Sequence, residues 1–251
     1  MDIETYELFS RQIPYLGVAR QEKILNAKVA IIGAGGLGSH VSEMIVRLGF
    51  GFVRIIDRDL VEESNLHRTC VYQRKDIGKS KAFVLSERLG DINKKCKIES
   101  VIESLHDYNA DELLSGMDVV IDCSDNMETR YVINKFCVNN KIPWVYGAVL
   151  KDEGFSSTFA SDGKPCFECL YPQKPKKLDT CAKHGVISPI VGMIASWQVM
   201  EAIKIVTGMS EPNYGRLFRI QLERPGFELL VIKAREDCLI CGKDILKFRR
   251  R

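Results

Sequence analysis

The pattern of hydrophobic and polar positions switches repeatedly between a strand period and a helix period over the first 150 residues. Five short apolar runs predict strands: KVAIIG, FVRIID, KIESVIES, MDVVIDCS and IPWVYGAV. Four runs between them predict helices: SHVSEMIVRLG, KSKAFVLSERLGDIN, NADELLSG and METRYVINKFCVNN. Because alternating strands and helices form right-handed βαβ crossovers, the chain is predicted to form a Rossmann-like, doubly wound, mostly parallel α/β sheet.

The pattern changes after residue 150. Three runs predict strands of a more antiparallel style, joined by turns: GFSSTFAS, RLFRIQL and FELLVIKA. The stretch SPIVGMIASWQVMEAIKIVTG predicts one long helix, with Ser188 as its cap and Pro189 at its first position. Since this helix is apolar nearly all round, we expect it to be buried, within the fold or between subunits. The proline- and lysine-rich stretch 171–179 predicts a mobile crossover loop.

These patterns divide a single domain into four parts. Residues 1–26 form an N-terminal helical segment, 27–150 the Rossmann-like half, 151–242 the partly antiparallel half, and 243–251 a basic tail. We expect the tail to be frayed and solvated.

Composition and charge narrow the class of protein. With 251 residues, 45% of them hydrophobic, the chain can bury a large core. The formal net charge is only +3, so we expect no nucleic-acid partner. No apolar run approaches the roughly 20 residues that span a bilayer, and the N-terminus MDIETYELFSRQ lacks the apolar core of a secretory signal. We therefore expect a cytoplasmic protein with no membrane partner.

Four of the nine cysteines occur as two C-x-x-C pairs, Cys166 with Cys169 and Cys238 with Cys241. Two such pairs form a tetrahedral Cys₄ zinc site, and a complete thiolate shell makes the zinc structural because no position is open for water. The alternatives are a redox C-x-x-C or two chance pairs. Four single cysteines are expected to pack in the core: Cys70, Cys96, Cys123 and Cys137.

A glycine-rich loop follows the first predicted strand. Gly33, Gly35 and Gly38 fit G-x-G-x-x-G, and Asp57 ends the second apolar run nineteen residues beyond Gly38. This spacing is typical of a dinucleotide site, in which the loop and a helix N-terminus bind phosphate and the acid binds a ribose hydroxyl. The loop alone fits either NAD or ATP.

Several further motifs are not required in a dehydrogenase. They are SRQI, DRDLVEESNLHR, IGKSKA, DCSDNMETR and the two C-x-x-C pairs. In this order they closely resemble the ThiF/MoeB/HesA family of adenylating enzymes, which are related to ubiquitin-activating enzymes. The resemblance extends from about residue 6 to residue 242. His67 departs from the pattern, since the family often has glutamine near this arginine, and we interpret it as a tolerated flanking substitution.

The resemblance implies a specific reaction. The enzyme would bind ATP with Mg²⁺ and a small ubiquitin-like sulfur-carrier protein that ends in Gly-Gly. The carboxylate of the carrier would attack the α-phosphate to give an acyl-adenylate and pyrophosphate, ahead of sulfur transfer. A separate cysteine desulfurase or rhodanese-like protein would supply the sulfur, because no rhodanese-like domain follows residue 251.

The resemblance also implies roles for individual residues. Arg11, Arg68 and Lys81 would contact phosphate, and Asp125 would hold Mg²⁺ at the end of the fourth strand. The implied nucleotide-binding set is Gly33, Gly35, Gly36, Gly38, Asp57, Asp59, Ser64, Asn65, Arg68, Lys81, Asp125 and Asn126. The 27–150 half would thus bind the nucleotide, and the 151–242 half would bind the carrier and zinc.

Two implied features concern the second subunit and a covalent step. In relatives the counterpart of Arg68 reaches into the ATP site of the neighbouring subunit, and this chain carries a single such module, so a homodimer is implied. Cys181 lies where some members use a cysteine covalently, while other relatives complete adenylation without one. Lys183 and His184 could lower the pKa of its thiol, but they could equally be solvated loop residues.

Three other functions stay open at this point. One is an NAD-dependent oxidoreductase, one is a catalytically inactive scaffold for a ubiquitin-like protein, and one is a relative that adenylates a peptide or a modified tRNA nucleoside. Arg11 and Lys81 could be ordinary surface charges, and Asp125 and Asn126 a helix cap. The cationic set together with a magnesium-binding acid suits a triphosphate, so the sequence favours the ATP-using enzyme.

Overall fold

One eight-stranded sheet organises the computed structural model of this chain, which describes residues 1–172 and 184–242. The strands are β1 (Lys28–Ile32), β2 (Phe52–Ile56), β3 (Lys97–Val101), β4 (Val119–Asp122), β5 (Trp144–Leu150), β6 (Glu153–Phe159), β7 (Arg216–Gln221) and β8 (Arg224–Val231). The helices are α1 (Ile3–Leu8), α2 (Ile13–Leu16), α3 (Val18–Asn26), α4 (Gly36–Leu48), α5 (Lys81–Ile92), α6 (Ala110–Leu114), α7 (Met127–Asn140), α8 (Phe167–Leu170) and α9 (Ser188–Thr207).

The strand order is β3-β2-β1-β4-β5-β6-β7-β8. The strands from β3 to β5 are parallel, and the pairs from β5 to β8 are antiparallel. From β1 the chain adds β2 and β3 on one side and then β4 and β5 on the other, so the order of strand addition reverses between β1 and β4. Doubly wound sheets bind their ligands at such a reversal. The predicted fold class, a mostly parallel sheet with an antiparallel extension, is confirmed.

The two faces of the sheet bury two separate hydrophobic clusters. Along β1, Val29 and Ile31 pack into one cluster, whereas Ala30 and Ile32 pack into the other. Because successive side chains of a strand point to opposite faces, an unbroken apolar run is what a strand covered on both faces requires. Helices α4, α5 and α9 contribute to the first cluster, and α6, α7 and α8 to the second.

Helix α4 begins at Gly36, three residues before its predicted start at Ser39. The glycine loop therefore runs directly into the first turn of the helix, and Gly38 already lies within it. The helix ends at Leu48 and is capped by Gly49, which adopts the left-handed conformation with φ of 93°.

Helix α9 corrects two sequence-based expectations. Its cap residue is Ile187, so Ser188 is the first residue of the helix and makes no side-chain cap. Its length of 20 residues and mean hydropathy of 1.4 would suffice to cross a membrane, so the expectation that no run is long enough was wrong. The helix packs on α4, β5 and β6, and half of its apolar stretch is buried. The helix is therefore buried on the side that faces α4 and the sheet, whereas Met193 and Met200 are exposed, so the expected burial holds for about half of the helix.

Three of the four single cysteines are buried as expected, namely Cys96, Cys123 and Cys137. Cys70 is exposed, so its assignment to the core was wrong. The predicted crossover loop beyond residue 172 and the basic tail 243–251 lie outside the described residues.

Candidate active site

A pocket of ≈ 370 Å³ opens at the carboxyl ends of β1, β2, β4 and β5. It therefore lies at the reversal of strand order between β1 and β4. One side carries the glycine loop and charged residues, and the other is lined by apolar and aromatic side chains of β5 and β6. Nine predicted nucleotide-binding residues line it: Gly33, Gly35, Gly36, Asp57, Asp59, Arg68, Lys81, Asp125 and Asn126.

The glycine loop needs glycine for close backbone packing. Gly33 has a φ of 99°, and a Cβ there would lie 2.6 Å from the carbonyl oxygen of Cys123. A Cβ on Gly38 would lie 1.8 Å from the carbonyl oxygen of Gly33, so only glycine fits where the first turn of α4 packs against the loop. Gly38 itself does not line the pocket. No side chain caps the N-terminus of α4. Its first N–H groups are thus left to bind an anion.

Asp57 both shapes the loop and faces the pocket. Its Oδ2 accepts a hydrogen bond of 2.6 Å from the Ala34 N–H, and its Oδ1 accepts one of 2.7 Å from the Asp59 N–H. Burial raises the pKa of Asp57, although these two N–H donors and Lys81 oppose the shift. Each carboxylate oxygen keeps a second lone pair, so Asp57 can still accept from a ribose hydroxyl.

Lys81 and Arg68 bring two cations to the same pocket. Lys81 is the first residue of α5, is buried, and donates from Nζ to Oδ2 of Asp59 at 3.0 Å. Arg68 passes beside the glycine loop, where a Cβ on Gly36 would lie 3.5 Å from its Cδ. Arg68 thus lines the pocket of its own chain. The predicted contact of Arg68 with a neighbouring subunit stays a prediction.

Asp125 is an exposed acid at the pocket. Its carboxylate makes no hydrogen bond or ion pair with any residue in the described ranges 1–172 and 184–242. Asn126 instead caps the N-terminus of α7, since its side chain accepts a hydrogen bond of 2.9 Å from the Thr129 N–H. The alternative interpretation as a helix cap therefore applies to Asn126. The Asp125 carboxylate is left to bind a cation, and Mg²⁺ prefers such oxygen ligands.

Ser64 and Asn65 do not line the pocket, but they support Arg68. The Ser64 carbonyl accepts a hydrogen bond of 2.5 Å from the Arg68 guanidinium, and the Asn65 carbonyl accepts one of 3.1 Å from the Arg68 N–H. Asn65 is buried, and its Oδ1 accepts from the Glu62 N–H. These residues act on the pocket through the loop that carries Arg68.

Two further predicted residues are not placed at the pocket. Arg11 is exposed and does not line the pocket of its own chain. Cys181 lies outside the described residues.

Sequence reasoning missed Arg130, a buried cation at the floor of the pocket. It forms an ion pair with the fully buried Asp122 and donates a hydrogen bond of 2.7 Å to the Ser124 carbonyl. Its guanidinium also lies 5.1 Å from the centre of the Tyr146 ring. The signal was present in the motif DCSDNMETR, where the final arginine falls on the apolar face of the following helix.

The apolar side of the pocket extends from the charged side towards β6. Its lining includes Tyr146, Ala148 and Leu150 of β5, Phe155 of β6, and Tyr171 after α8. Such a surface suits an uncharged, extended chain whose reactive end meets the charged side.

The two C-x-x-C pairs meet in a second site, the cysteine cluster of Cys166, Cys169, Cys238 and Cys241. All four sulfur atoms lie within 4.8 Å of one another and are buried. Cys166 Sγ is 3.6 Å from Cys238 Sγ, and Cys169 Sγ is 3.4 Å from Cys241 Sγ. Tetrahedral zinc with Zn–S bonds of about 2.3 Å needs sulfur separations of about 3.8 Å. The predicted pairing is confirmed, and the cluster fits zinc.

Comparison with known proteins identifies the class. The ThiF family model matches residues 9–240, and this chain belongs to that family. It is similar to the sulfur carrier protein adenylyltransferase of Thermus thermophilus, with 33% identity over 250 residues, covering 96% of this chain and 92% of that protein. It is also similar to the SAMP-activating enzyme E1 of Haloferax volcanii, with 34% identity, covering 97% and 91% of the two chains.

A solved structure supports the fold. The crystal structure of E. coli MccB with MccA-N7isoASN matches with a TM-score of 0.84, covering 95% of this chain and 75% of that one. Its sequence identity is 23%, so the likeness concerns the fold alone.

Proposed function

We propose that this protein is an adenylyltransferase that uses ATP to activate the C-terminal glycine carboxylate of a small ubiquitin-like sulfur-carrier protein. The observation that carries the proposal is that three features meet in one pocket: a glycine cradle at a helix N-terminus, the cations Arg68 and Lys81, and the exposed acid Asp125. The sequence similarity to sulfur carrier protein adenylyltransferase supports it.

The charged side of the pocket provides what the reaction requires. A carboxylate and a triphosphate repel each other, so the attack on the α-phosphate needs positive charge that is fixed before the reaction. Lys81, Arg68 and the N–H groups at the start of α4 supply that charge, and Asp57 binds a ribose hydroxyl. Mg²⁺ held by Asp125 would offset charge on the phosphates. The attack forms the bond from carboxylate oxygen to α-phosphorus and releases pyrophosphate.

The apolar side of the pocket is assigned to the tail of the carrier. The tail would lie along β5 and β6, past Phe155 and Tyr171, and bring its terminal carboxylate to the phosphates. The terminal sulfur of a persulfide would then attack the carbonyl carbon of the adenylate and displace AMP, and a second thiol would cleave the resulting acyl disulfide to release the thiocarboxylate. A separate cysteine desulfurase or rhodanese-like protein would supply that sulfur.

The cysteine cluster would hold a structural zinc ion. Four thiolates complete the tetrahedral shell, so no position remains for a reacting water. The zinc would tie α8 to the segment after β8.

We further propose that the enzyme acts as a homodimer in the cytoplasm. Arg11 does not line the pocket of its own chain, so its predicted phosphate contact requires the pocket of a second copy. Gel filtration with light scattering would test the dimer, and R11A mixed with an R68A partner would test whether complementary sites regain activity.

The test of the reaction is ATP–pyrophosphate exchange with Mg²⁺, using a panel of ubiquitin-like carriers that end in Gly-Gly. Exchange should depend on one carrier and disappear when that carrier lacks its final glycine. Exchange without any carrier, or tight NAD(H) binding with no exchange, would overturn the proposal. Tight NAD(H) binding with no exchange would indicate that the glycine loop binds NAD and that the protein is an oxidoreductase.

A further inference from the structure

Strand β4 ends beneath the pocket, and two loops of the site meet at its end. Cys123 follows Asp122 directly and precedes Asp125 by two residues. A Cβ on Gly33 would lie 2.6 Å from the Cys123 carbonyl oxygen, so the glycine loop rests on the backbone of Cys123. The Cys123 N–H in turn donates to the Ile32 carbonyl of β1 at 2.8 Å. The position of Cys123 therefore affects both the glycine loop and the acid Asp125.

Gln198 of α9 reaches this point from the face of the sheet opposite to α7. Its side chain is fully buried, and its Nε2 donates a hydrogen bond of 2.7 Å to the carbonyl of Asp122. The same Nε2 lies 3.4 Å from the carbonyl oxygen of Val145 in the neighbouring strand β5. One amide thus ties the end of β4 to β5 where the chain leaves the sheet for the pocket.

The oxygen of the Gln198 amide faces Cys123. Its Oε1 lies 3.8 Å from the Cys123 sulfur, a distance at which a thiol can donate a hydrogen bond. Burial raises the pKa of the Cys123 thiol well above its ordinary value, and the charge of Asp122 acts in the same direction. The thiol therefore keeps its proton, and both ends of the Gln198 amide have a partner at the end of β4.

The neighbouring strand leaves room for this amide. A Cβ on Gly147 of β5 would lie 2.5 Å from both Cδ and Nε2 of Gln198, so only glycine leaves the space that the amide occupies. On the other face of the sheet, Arg130 of α7 pairs with the Asp122 carboxylate and donates to the Ser124 carbonyl. Helices on both faces therefore hold the end of β4, α7 through the side chain of Asp122 and α9 through its backbone.

We propose that Gln198 is a positioning residue of the active site: its amide holds the end of β4 so that the glycine loop and Asp125 stand at the spacing that a magnesium nucleotide requires. The inference deepens the proposed function and rests on it, because the glycine loop and Asp125 are assigned there to phosphate and Mg²⁺. Gln198 does not line the pocket, so it acts through the backbone of β4 without touching the nucleotide.

The first test variant is Q198M, which keeps the length of the side chain but can bind neither carbonyl. Q21M is the matched control, because Gln21 is also fully buried and donates to a backbone carbonyl away from the pocket, that of Leu48 at 3.1 Å. Both variants remove a buried amide, so both should lower the urea midpoint of unfolding. Only Q198M should alter nucleotide binding.

The measurement is the affinity of the full chain for a fluorescent ATP analogue, with Mg²⁺ and with EDTA. Wild type should bind the analogue more tightly with Mg²⁺, because Asp125 holds the ion. We call the ratio of the two affinities the magnesium gain. We expect Q198M to reduce the magnesium gain about 10-fold, as the loss of a group that orients a metal ligand does, and Q21M to keep it.

A double variant shows whether Gln198 acts through Asp125. D125A should itself remove the magnesium gain, so adding Q198M to D125A should change binding with Mg²⁺ by less than about 2-fold. Independent effects, which multiply in the double variant, would overturn the proposal. Equal magnesium gains in Q198M and wild type would also overturn it.

A second variant keeps the proposal testable if Q198M does not fold. G147A leaves Gln198 in the sequence but places a methyl group where its amide stands, and the flexible end of that side chain can move away while β5 stays intact. G192A is the matched control, since a Cβ on Gly192 of α9 would meet no atom within 4 Å. We expect G147A to reduce the magnesium gain and G192A to keep it. A wild-type gain in G147A would overturn the proposal.

The outcomes separate this inference from the proposed function. Because nucleotide binding needs no carrier, the test stands even if no carrier supports exchange. A magnesium gain in wild type that Q198M and G147A leave unchanged would overturn the role of Gln198 alone. Absence of ATP binding in wild type, or binding without a magnesium gain, would overturn the assignment of Asp125 and the role of Gln198 with it.

Discussion

Arg130 and Asp122 form a buried ion pair at the floor of the pocket, with Nε 3.2 Å from Oδ2. Asp122 is the last residue of β4, and the Arg130 guanidinium also donates to the Ser124 carbonyl, immediately before Asp125. The pair therefore fixes the short connection between β4 and α7. Through that connection it sets where the Asp125 carboxylate stands in the pocket.

The first prediction is that R130M lowers the free energy of unfolding by about 3–5 kcal/mol, because it leaves the carboxylate of Asp122 buried without its partner. Urea unfolding followed by circular dichroism would measure this. R47M is the matched control, since Arg47 pairs with Glu43 at the surface, and an exposed pair of this kind contributes about 0.3–0.5 kcal/mol. Similar losses in R130M and R47M would contradict the assignment of a buried pair.

The second prediction is that R68A and D125A each reduce carrier-dependent ATP–pyrophosphate exchange by about 10²-fold or more. Both remove charge that the proposed reaction needs at the phosphates, and neither side chain is part of the hydrophobic core. Zinc content and urea unfolding should stay at wild-type values.

R74A is the control for the second prediction. Arg74 is an exposed cation close in sequence, paired with Glu63, and it does not line the pocket. It should keep normal exchange. Near-normal turnover in R68A or D125A would show that the substituted residue is not needed for the exchange reaction.

The parts of the site that the sequence predicted are those that depend on local backbone geometry. Gly33 and Gly38 were predictable because the backbone approaches both positions too closely for a Cβ, and this loop keeps such glycines at a fixed spacing. Asp57 was predictable because it ends the neighbouring parallel strand. The cysteine pairs were predictable because each C-x-x-C forms its knuckle within four residues.

The parts that the sequence did not predict depend on contacts between distant segments. Arg130 and Gln198 look like ordinary helix residues until β4 is placed against them. The misjudged length of the apolar run in α9 is different, because length and hydropathy are properties of the sequence itself.

The third prediction concerns pH and Asp57. Because burial raises the pKa of Asp57, the folded protein binds a proton that the unfolded chain has released, over the interval above the ordinary aspartate value of about 3.9. The free energy of unfolding contributed by this residue should therefore fall as pH rises through that interval and then level off. D57N does not titrate there, so its stability relative to wild type should improve from about pH 4 towards neutrality.

Urea unfolding at a series of pH values measures this difference. D2N provides a control of opposite sign, because hydrogen bonds from Thr5, and then Lys95, lower the pKa of the exposed Asp2. The stabilisation from Asp2 is present above the ordinary value and is lost as pH falls, so D2N should lose stability relative to wild type towards neutrality. Parallel pH profiles for wild type and D57N would contradict the raised pKa.

The last prediction separates the two chemical steps. The acyl-adenylate forms when the carrier carboxylate attacks the α-phosphate of ATP, and this step uses no protein nucleophile. C181A should therefore keep carrier-dependent pyrophosphate exchange, and any effect should fall on the later transfer of sulfur, measured as thiocarboxylate by mass spectrometry. C70A is the matched control: although Cys70 is an exposed residue, partial desolvation of its thiol and the neighbouring Glu43 raise the pKa of the thiol to about 12, and a protonated thiol does not attack. It should change neither step. Loss of exchange in C181A, with C70A normal, would place Cys181 in the first step and require a covalent intermediate before or during activation of the carrier.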